Sequence, residues 1–129
     1  MRTGTYGLAD TRVFGQFLPM NASPLVDGND VYLTDGSSIV KLDLQANLFD
    51  WRFPTDAPIS SSPVLAGGIL YFGANDGKVY AVDARTGEGR WSFQTGGEVR
   101  SSPVVADGAI YVGSRDGFIY ALGGTSEEG

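Results

Sequence analysis

The stretch SSPVLAGGILYFGANDGKVYAVD, from Ser61 to Asp83, is repeated later in the chain as SSPVVADGAIYVGSRDGFIYALG, which begins at Ser101. Twelve of the twenty-three aligned positions are identical, in a chain of only 129 residues. A Ser-Pro pair marks each copy and occurs once more at Ser23, so the sequence repeats with a period of about forty residues. A period of this length is typical of proteins built from repeated structural units. The fold is therefore decided by one unit of the repeat.

Each unit contains short runs of β-branched and aromatic residues that are separated by turn residues. In the second unit, Gly67-Gly68, Asn75-Asp76-Gly77 and Thr86-Gly87 separate the runs PVLA, ILYFG, VYAVD and RWSFQT. Gly and Asp-Gly accept positive φ angles and favour hairpin turns. The pattern predicts a four-stranded antiparallel meander, whose strands we call A to D in chain order. Such a unit is typical of a β-propeller blade, and we predict an all-β fold of about three blades.

The repeat landmarks divide the chain into parts of one predicted domain that spans residues 1–129. These parts are a lone outer strand at 11–17, blade 1 at 22–55, blade 2 at 61–96 and an incomplete blade 3 at 101–122. The lone strand is inferred from Phe14, which precedes Ser23 by nine residues, as Phe53 precedes Ser62.

Propeller rings usually contain four to eight blades, so three blades in one chain are not expected to close a ring. Two arrangements would satisfy the unpaired strands. In the first, the chain is the C-terminal part of a larger propeller. In the second, chains assemble head to tail, and each N-terminal strand completes the last blade of the next chain.

Composition excludes several classes of function. The chain has no His and no Cys, which removes the commonest general base, thiol nucleophiles and disulfides. Its net charge of −6 makes nucleic acid an unsuitable partner, and no apolar run approaches the twenty residues of a membrane span. The first residues, MRTGTYGLADTRVFGQF, lack the apolar segment of a signal peptide.

The string DGKVYAVDARTGEGRWSFQTGG, from Asp76 to Gly97, resembles the repeat of the quinoprotein-type (PQQ-like) propeller family. YVGSRDGFIYALGG in the third unit follows the same pattern. The resemblance implies a blade fold. Propellers that this chain is similar to include scaffolds of outer-membrane assembly machinery and sensor propellers attached to kinases. It also implies a periplasmic or extracellular location.

The resemblance gives the tryptophan of strand D a structural role, in which the ring docks on the neighbouring blade and the indole N–H donates to a main-chain carbonyl. The residues assigned to blade docking are Trp51, Trp91, Phe53, Phe93, Thr95, Gly96, Asp83 and Gly87. The first unit has Ala46-Asn47 where the family has Thr-Gly, so an irregular turn is expected there.

No catalytic, cofactor-binding or metal-binding residue is predicted. The aspartates that precede glycine, among them Asp76 and Asp116, are interpreted as hairpin-turn residues. The segment from Asp27 to Asp30 lacks the distal Glu of a calcium loop, and Asn21 begins a glycosylation sequon that we interpret as a strand-entry loop.

Strand order predicts that the D-to-A connections and the B-to-C turns share one face of the blades. The possible partner residues on this face are Asn75, Glu98, Arg100 and Arg115, with Asp35 and Asp56 nearby; a solvated polar rim is the alternative. We predict a non-catalytic binding or scaffold module that contacts a protein or its own remaining blades. A fragment of a PQQ-dependent dehydrogenase and a carbohydrate-binding propeller are the other functions considered.

Overall fold

The computed structural model describes residues 22–123, and over this range it contains only β-strands, turns and loops. The strands are β1 (Leu25–Asp27), β2 (Asp30–Asp35), β3 (Ser38–Asp43), β4 (Leu48–Pro54), β5 (Val64–Ala66), β6 (Ile69–Gly73), β7 (Lys78–Asp83), β8 (Gly89–Gln94), β9 (Val104–Ala106), β10 (Ala109–Gly113) and β11 (Ile119–Leu122). The all-β prediction is confirmed. The lone outer strand predicted at 11–17 lies outside the described residues.

The strands form three antiparallel sheets, each ordered as a meander. Blade 1 consists of β1–β4 and blade 2 of β5–β8, while β9–β11 form the three-stranded blade 3. The predicted four-stranded meander is confirmed for the first two blades. Over the described range, the three sheets do not close a ring. No helix in that range is long and apolar enough to cross a membrane.

The turns between strands C and D have the same local structure in blades 1 and 2. The Asp43 carboxylate accepts hydrogen bonds from the backbone N–H groups of Gln45 and Ala46, both at 3.0 Å. Asp83 caps its own turn in the same way, through Arg85 and Thr86. The irregular turn expected at Ala46-Asn47 is not found, because Asn47 adopts a φ of 61° in the place of Gly87, at 81°. Asn tolerates this left-handed conformation better than most residues.

The hydrophobic core lies between the blades, because alternate residues of a strand point to opposite faces of its sheet. Tyr32, Ile39 and Trp51 of blade 1 pack against a blade 2 face that includes Phe72 and Tyr80. The other face of blade 2 packs against blade 3 through a second cluster, formed by Val79, Val99, Ile110 and Val112. Blade 2 thus buries one apolar face against blade 1 and the other against blade 3.

The repeated Ser-Pro pairs connect consecutive blades near the start of strand A. The backbone N–H of Ser23 donates to Ser62 Oγ at 2.9 Å, and the N–H of Ser62 donates to Ser102 Oγ at 3.0 Å. The same bond therefore recurs at each blade-to-blade step. It fixes the position of each inner strand relative to the next and explains why this serine is present in every unit.

Candidate functional site

One face of the blades is formed by the D-to-A connections and the B-to-C turns, as strand order predicts. We call it the loop rim and define it as residues 55–60, 74–77, 95–100 and 114–117. The backbone N–H of Asn75 donates to Pro58 O, and that of Arg115 donates to Glu98 O, both at 2.9 Å. Each connection is therefore held by the B-to-C turn of the blade that follows it.

The structure brings three of the four predicted partner residues together on the loop rim. Arg100 Nε lies 2.9 Å from Glu98 Oε1, and both side chains are well exposed. Arg115 joins them through its backbone bond to Glu98. Asn75 lies one blade earlier, and its side-chain oxygen is buried with no hydrogen-bond partner within the described range. Glu98, Arg100 and Arg115 thus form the accessible part of the predicted face.

Trp51 packs on the backbone of the next blade. Its side chain is buried, and its indole N–H donates to Ala84 O at 3.0 Å. A Cβ at Gly87 would lie 2.7 Å from the Trp51 ring, so the ring contacts the turn where glycine leaves room for it. Phe53 lies on the same face and packs edge-on against Phe72 and Tyr80.

For Trp91 the resemblance implies the same docked position as for Trp51, and this docking stays a prediction. Trp91 is 38% exposed, and its ring packs beside Tyr71 of its own blade at 6.0 Å. The positions that correspond to Ala84 and Gly87 in the third unit are 124 and 127, which lie outside the described residues. Phe93 is exposed to a similar extent and contacts Tyr120 of blade 3.

Thr95 and Gly96 connect blade 2 to blade 3 at the end of strand β8. Thr95 Oγ1 bonds Gly77 O of its own blade at 2.8 Å and lies 2.9 Å from Ser114 Oγ. The backbone N–H of Gly96 donates to Asp116 Oδ2, also at 2.9 Å. These contacts join the outer end of one blade to the B-to-C turn of the next.

Sequence reasoning missed a second role of the aspartates in the Asp-Gly turns. Tyr120 donates its hydroxyl to Asp116 Oδ2 at 2.6 Å, and Tyr80 donates to Asp76 in the same way. The signal was present as an Asp-Gly-x-x-Tyr pattern in units 2 and 3. The hydrogen bond from Tyr120 holds the pKa of the Asp116 carboxyl below its usual value, with the backbone N–H groups of Phe118 and Gly96 acting in the same direction.

Blade 3 presents an apolar sheet face that nothing covers among the described residues. Val104 and Ala121 lie opposite Tyr111 in the register, and Ile119 lies opposite Gly113, so these side chains share one face. Ile119 is 80% exposed and Val104 is 59% exposed.

The corresponding residues of blade 2, Tyr71 and Val79, pack against blade 3. In blades 1 and 2 the C strand pairs with an outer D strand, whereas the outer edge of β11 has no neighbouring strand within residues 22–123. We call this exposed face and edge the blade 3 surface. It has the composition and shape of a face that packs on another blade.

Comparison with known proteins identifies the repeat. A family model described as outer membrane protein assembly factor BamB matches residues 50–126, which is more than half of the chain. The chain belongs to this family. BamB-type repeats are PQQ-like repeats, so the resemblance inferred from the sequence is confirmed. No curated protein sequence matches the chain.

Solved structures of the same fold include both a BamB protein and alcohol and methanol dehydrogenases. BamB from Moraxella catarrhalis superposes with a TM-score of 0.67 and 25% identity, over 78% of this chain and 32% of that one. Quinohemoprotein alcohol dehydrogenase from Comamonas testosteroni gives 0.71 and 21%, over 83% and 20%. A europium-containing methanol dehydrogenase gives 0.71 and 19%, over 91% and 25%. The chain therefore spans a third or less of the length of these structures.

Proposed function

We propose that the chain is a non-catalytic, protein-binding scaffold module of the BamB family. The blade 3 surface is the observation that carries this proposal, because exposed Val104, Tyr111 and Ile119 form an apolar patch beside an open strand edge. Exposed apolar patches and unpaired edges mark places where other protein surfaces bind.

The repeat indicates what kind of protein surface would bind there. Blade 2 uses the equivalent face to pack against blade 3, so the blade 3 surface fits another PQQ-like blade. That blade would come from the remainder of a larger propeller or from a second copy of the chain, and both sources supply a strand and an apolar face. The polar residues Glu98, Arg100 and Arg115 lie at the adjoining loop rim and would contribute a charged border to the contact.

Sedimentation of the purified chain tests this proposal, with dye binding as a second measure of exposed apolar surface. We expect the wild type to associate in a concentration-dependent way and to bind the dye. Ile119→Lys should reduce both the association and the dye binding, because it places a charge on the apolar face and open edge of blade 3. Leu48→Lys is the matched control, since Leu48 is also exposed (60%) but lies on the outer strand of blade 1.

Two results would overturn the proposal. The first is a monodisperse wild-type monomer that binds no dye. The second is association that Ile119→Lys leaves unchanged.

A further inference from the structure

A groove of about 420 Å³ lies between blades 1 and 2, at the end of the strands opposite the loop rim. The wall formed by blade 1 includes Asp27, Asp30 and Lys41, and the wall formed by blade 2 includes Asp83, Arg85 and Arg90. Leu65, which packs on the blade 1-facing side of blade 2, adds apolar surface to the groove. The volume falls within the range of sites that bind small organic molecules.

The charged residues of the blade 1 wall depart from the repeat. In the strand registers, Asp27 and Asp30 face each other across the first hairpin, where blade 2 has Ala66 and Ile69. The equivalent pair in blade 3 is Ala106 with Ala109. Small or apolar residues thus build the same hairpin in the other two blades, so the blade fold does not require these carboxylates.

Lys41 is also a charged residue at a position where the other blades have none. It lies opposite Tyr32 in the sheet, where the other two blades have alanine opposite tyrosine. Its side chain is only 9% exposed, and its Nζ lies 3.0 Å from Asp50 Oδ2 and 3.6 Å from Asp30 Oδ1. A buried ion pair seldom stabilises a fold more than the apolar residues that could replace it. The lysine is therefore better explained by what it does to the groove than by blade packing.

The two walls carry opposite charge. On blade 1, Asp27 and Asp30 outnumber the single ammonium of Lys41. On blade 2, Arg85 and Arg90 outnumber Asp83, which is paired with Arg90 at 2.9 Å.

Two charges of the groove are left without an ion pair. Within residues 22–123 neither Asp27 nor Arg85 forms one. The acidic residues there do not gather in a set of three that could hold a metal ion. One free carboxylate and one free guanidinium thus face the groove from opposite sides.

We propose that this groove binds a small zwitterionic ligand of the dipeptide class, with its ammonium group toward Asp27 and Asp30 and its carboxylate toward Arg85. An apolar side chain of the ligand would lie on Leu65. This site is separate from the blade 3 surface, so it goes beyond the scaffold role and does not depend on it.

Calorimetric titration of the full chain with the dipeptide alanyl-leucine tests the proposal. We expect saturable binding that weakens by about tenfold when the peptide is N-acetylated, and by a similar factor when its carboxylate is amidated, because each change removes one charge-assisted contact. Asp27→Asn should weaken binding as much as N-acetylation does, and Arg85→Gln as much as amidation does. Both side chains are exposed, so the melting temperature of each variant should stay near that of the wild type.

Asp107→Asn, in the first turn of blade 3, changes an exposed aspartate outside the groove; it is the control and should bind as the wild type does. The proposal is overturned if the wild type shows no saturable binding, if the capped peptides bind equally well, or if the Asp27 and Arg85 variants lose nothing. Failure of the scaffold proposal would instead appear as a loss of association in sedimentation. Asp27→Asn and Arg85→Gln should leave that association unchanged.

Discussion

The ring of Trp51 lies directly against Gly87 of the next blade, and its indole N–H donates to Ala84 O three residues earlier in the same turn. One contact thus satisfies the polar atom of the tryptophan and buries its apolar body. The same turn is shaped by the Asp83 carboxylate, which accepts backbone hydrogen bonds from Arg85 and Thr86. Blade docking in this family member therefore depends on a tryptophan from one repeat and on turn chemistry from the next.

The first prediction compares the two tryptophans. Trp51→Ala should lower the free energy of unfolding by about 3–5 kcal/mol, because it empties a buried site between two blades. Trp91→Ala should cost clearly less, since Trp91 remains 38% exposed. Urea unfolding followed by circular dichroism measures both. Equal losses, or a larger loss for Trp91, would contradict the docking geometry.

The second prediction concerns the glycine beneath the Trp51 ring. Gly87→Ala should be strongly destabilising, because the new Cβ would lie 2.7 Å from the ring in addition to the strain of a φ of 81°. Gly68→Ala is the matched control: its φ is 78°, and a Cβ added there would have no neighbouring atom within 4 Å. The control should show only the backbone strain, of about 1 kcal/mol. Similar losses for the two variants would mean that the Trp51 contact does not limit the residue at Gly87.

The third prediction concerns stability at alkaline pH. Burial raises the pKa of Tyr80 above its ordinary value near 10, and the hydrogen bond to Asp76 acts in the same direction. A group whose folded pKa is raised contributes stability that is complete below its unfolded pKa and is lost as pH rises through the folded value. Unfolding should therefore become easier above about pH 10.

Tyr80→Phe keeps the stacked contact with Phe72 but removes the titrating hydroxyl. Its free energy of unfolding should fall less steeply than that of the wild type between about pH 8 and about pH 11. Burial and neighbouring carboxylates also raise the pKa of Tyr32, so a smaller slope should remain in the variant. Parallel slopes in the two proteins would show that Tyr80 titrates as it does in the unfolded chain.

The sequence predicts the blades well because the signals that define them are local. Gly67, Gly68 and Gly77 specify hairpins through positive φ angles that few other residues adopt, and the period repeats these turns along the chain. The regular turn at Asn47 was not predicted, because Asn47 adopts the same left-handed conformation without being glycine.

The parts that were missed depend on neighbours in space. The environment of Trp91 depends on what lies next to blade 2, and the charged groove combines Lys41 of one repeat with Arg85 of the next. Neither arrangement is contained in one unit of the repeat. Strand order predicted the loops that carry the proposed partner residues, but the burial of the Asn75 side-chain oxygen was not visible from the sequence.

The last prediction separates the scaffold role from that of a dehydrogenase. The chain has no His or Cys, and two of its Asp-Gly aspartates are engaged in turns: Asp76 accepts from the N–H of Lys78, and Asp116 accepts from that of Phe118. An aspartate held by its own turn and by a tyrosine hydroxyl has few free lone pairs to act as a base. We expect no oxidation of alcohols or aldoses above background when the purified chain is incubated with pyrroloquinoline quinone, calcium and an electron acceptor. Asp116→Asn is the informative variant, because turnover that appears in the wild type and disappears in this variant would make the chain an enzyme and would reject the scaffold proposal.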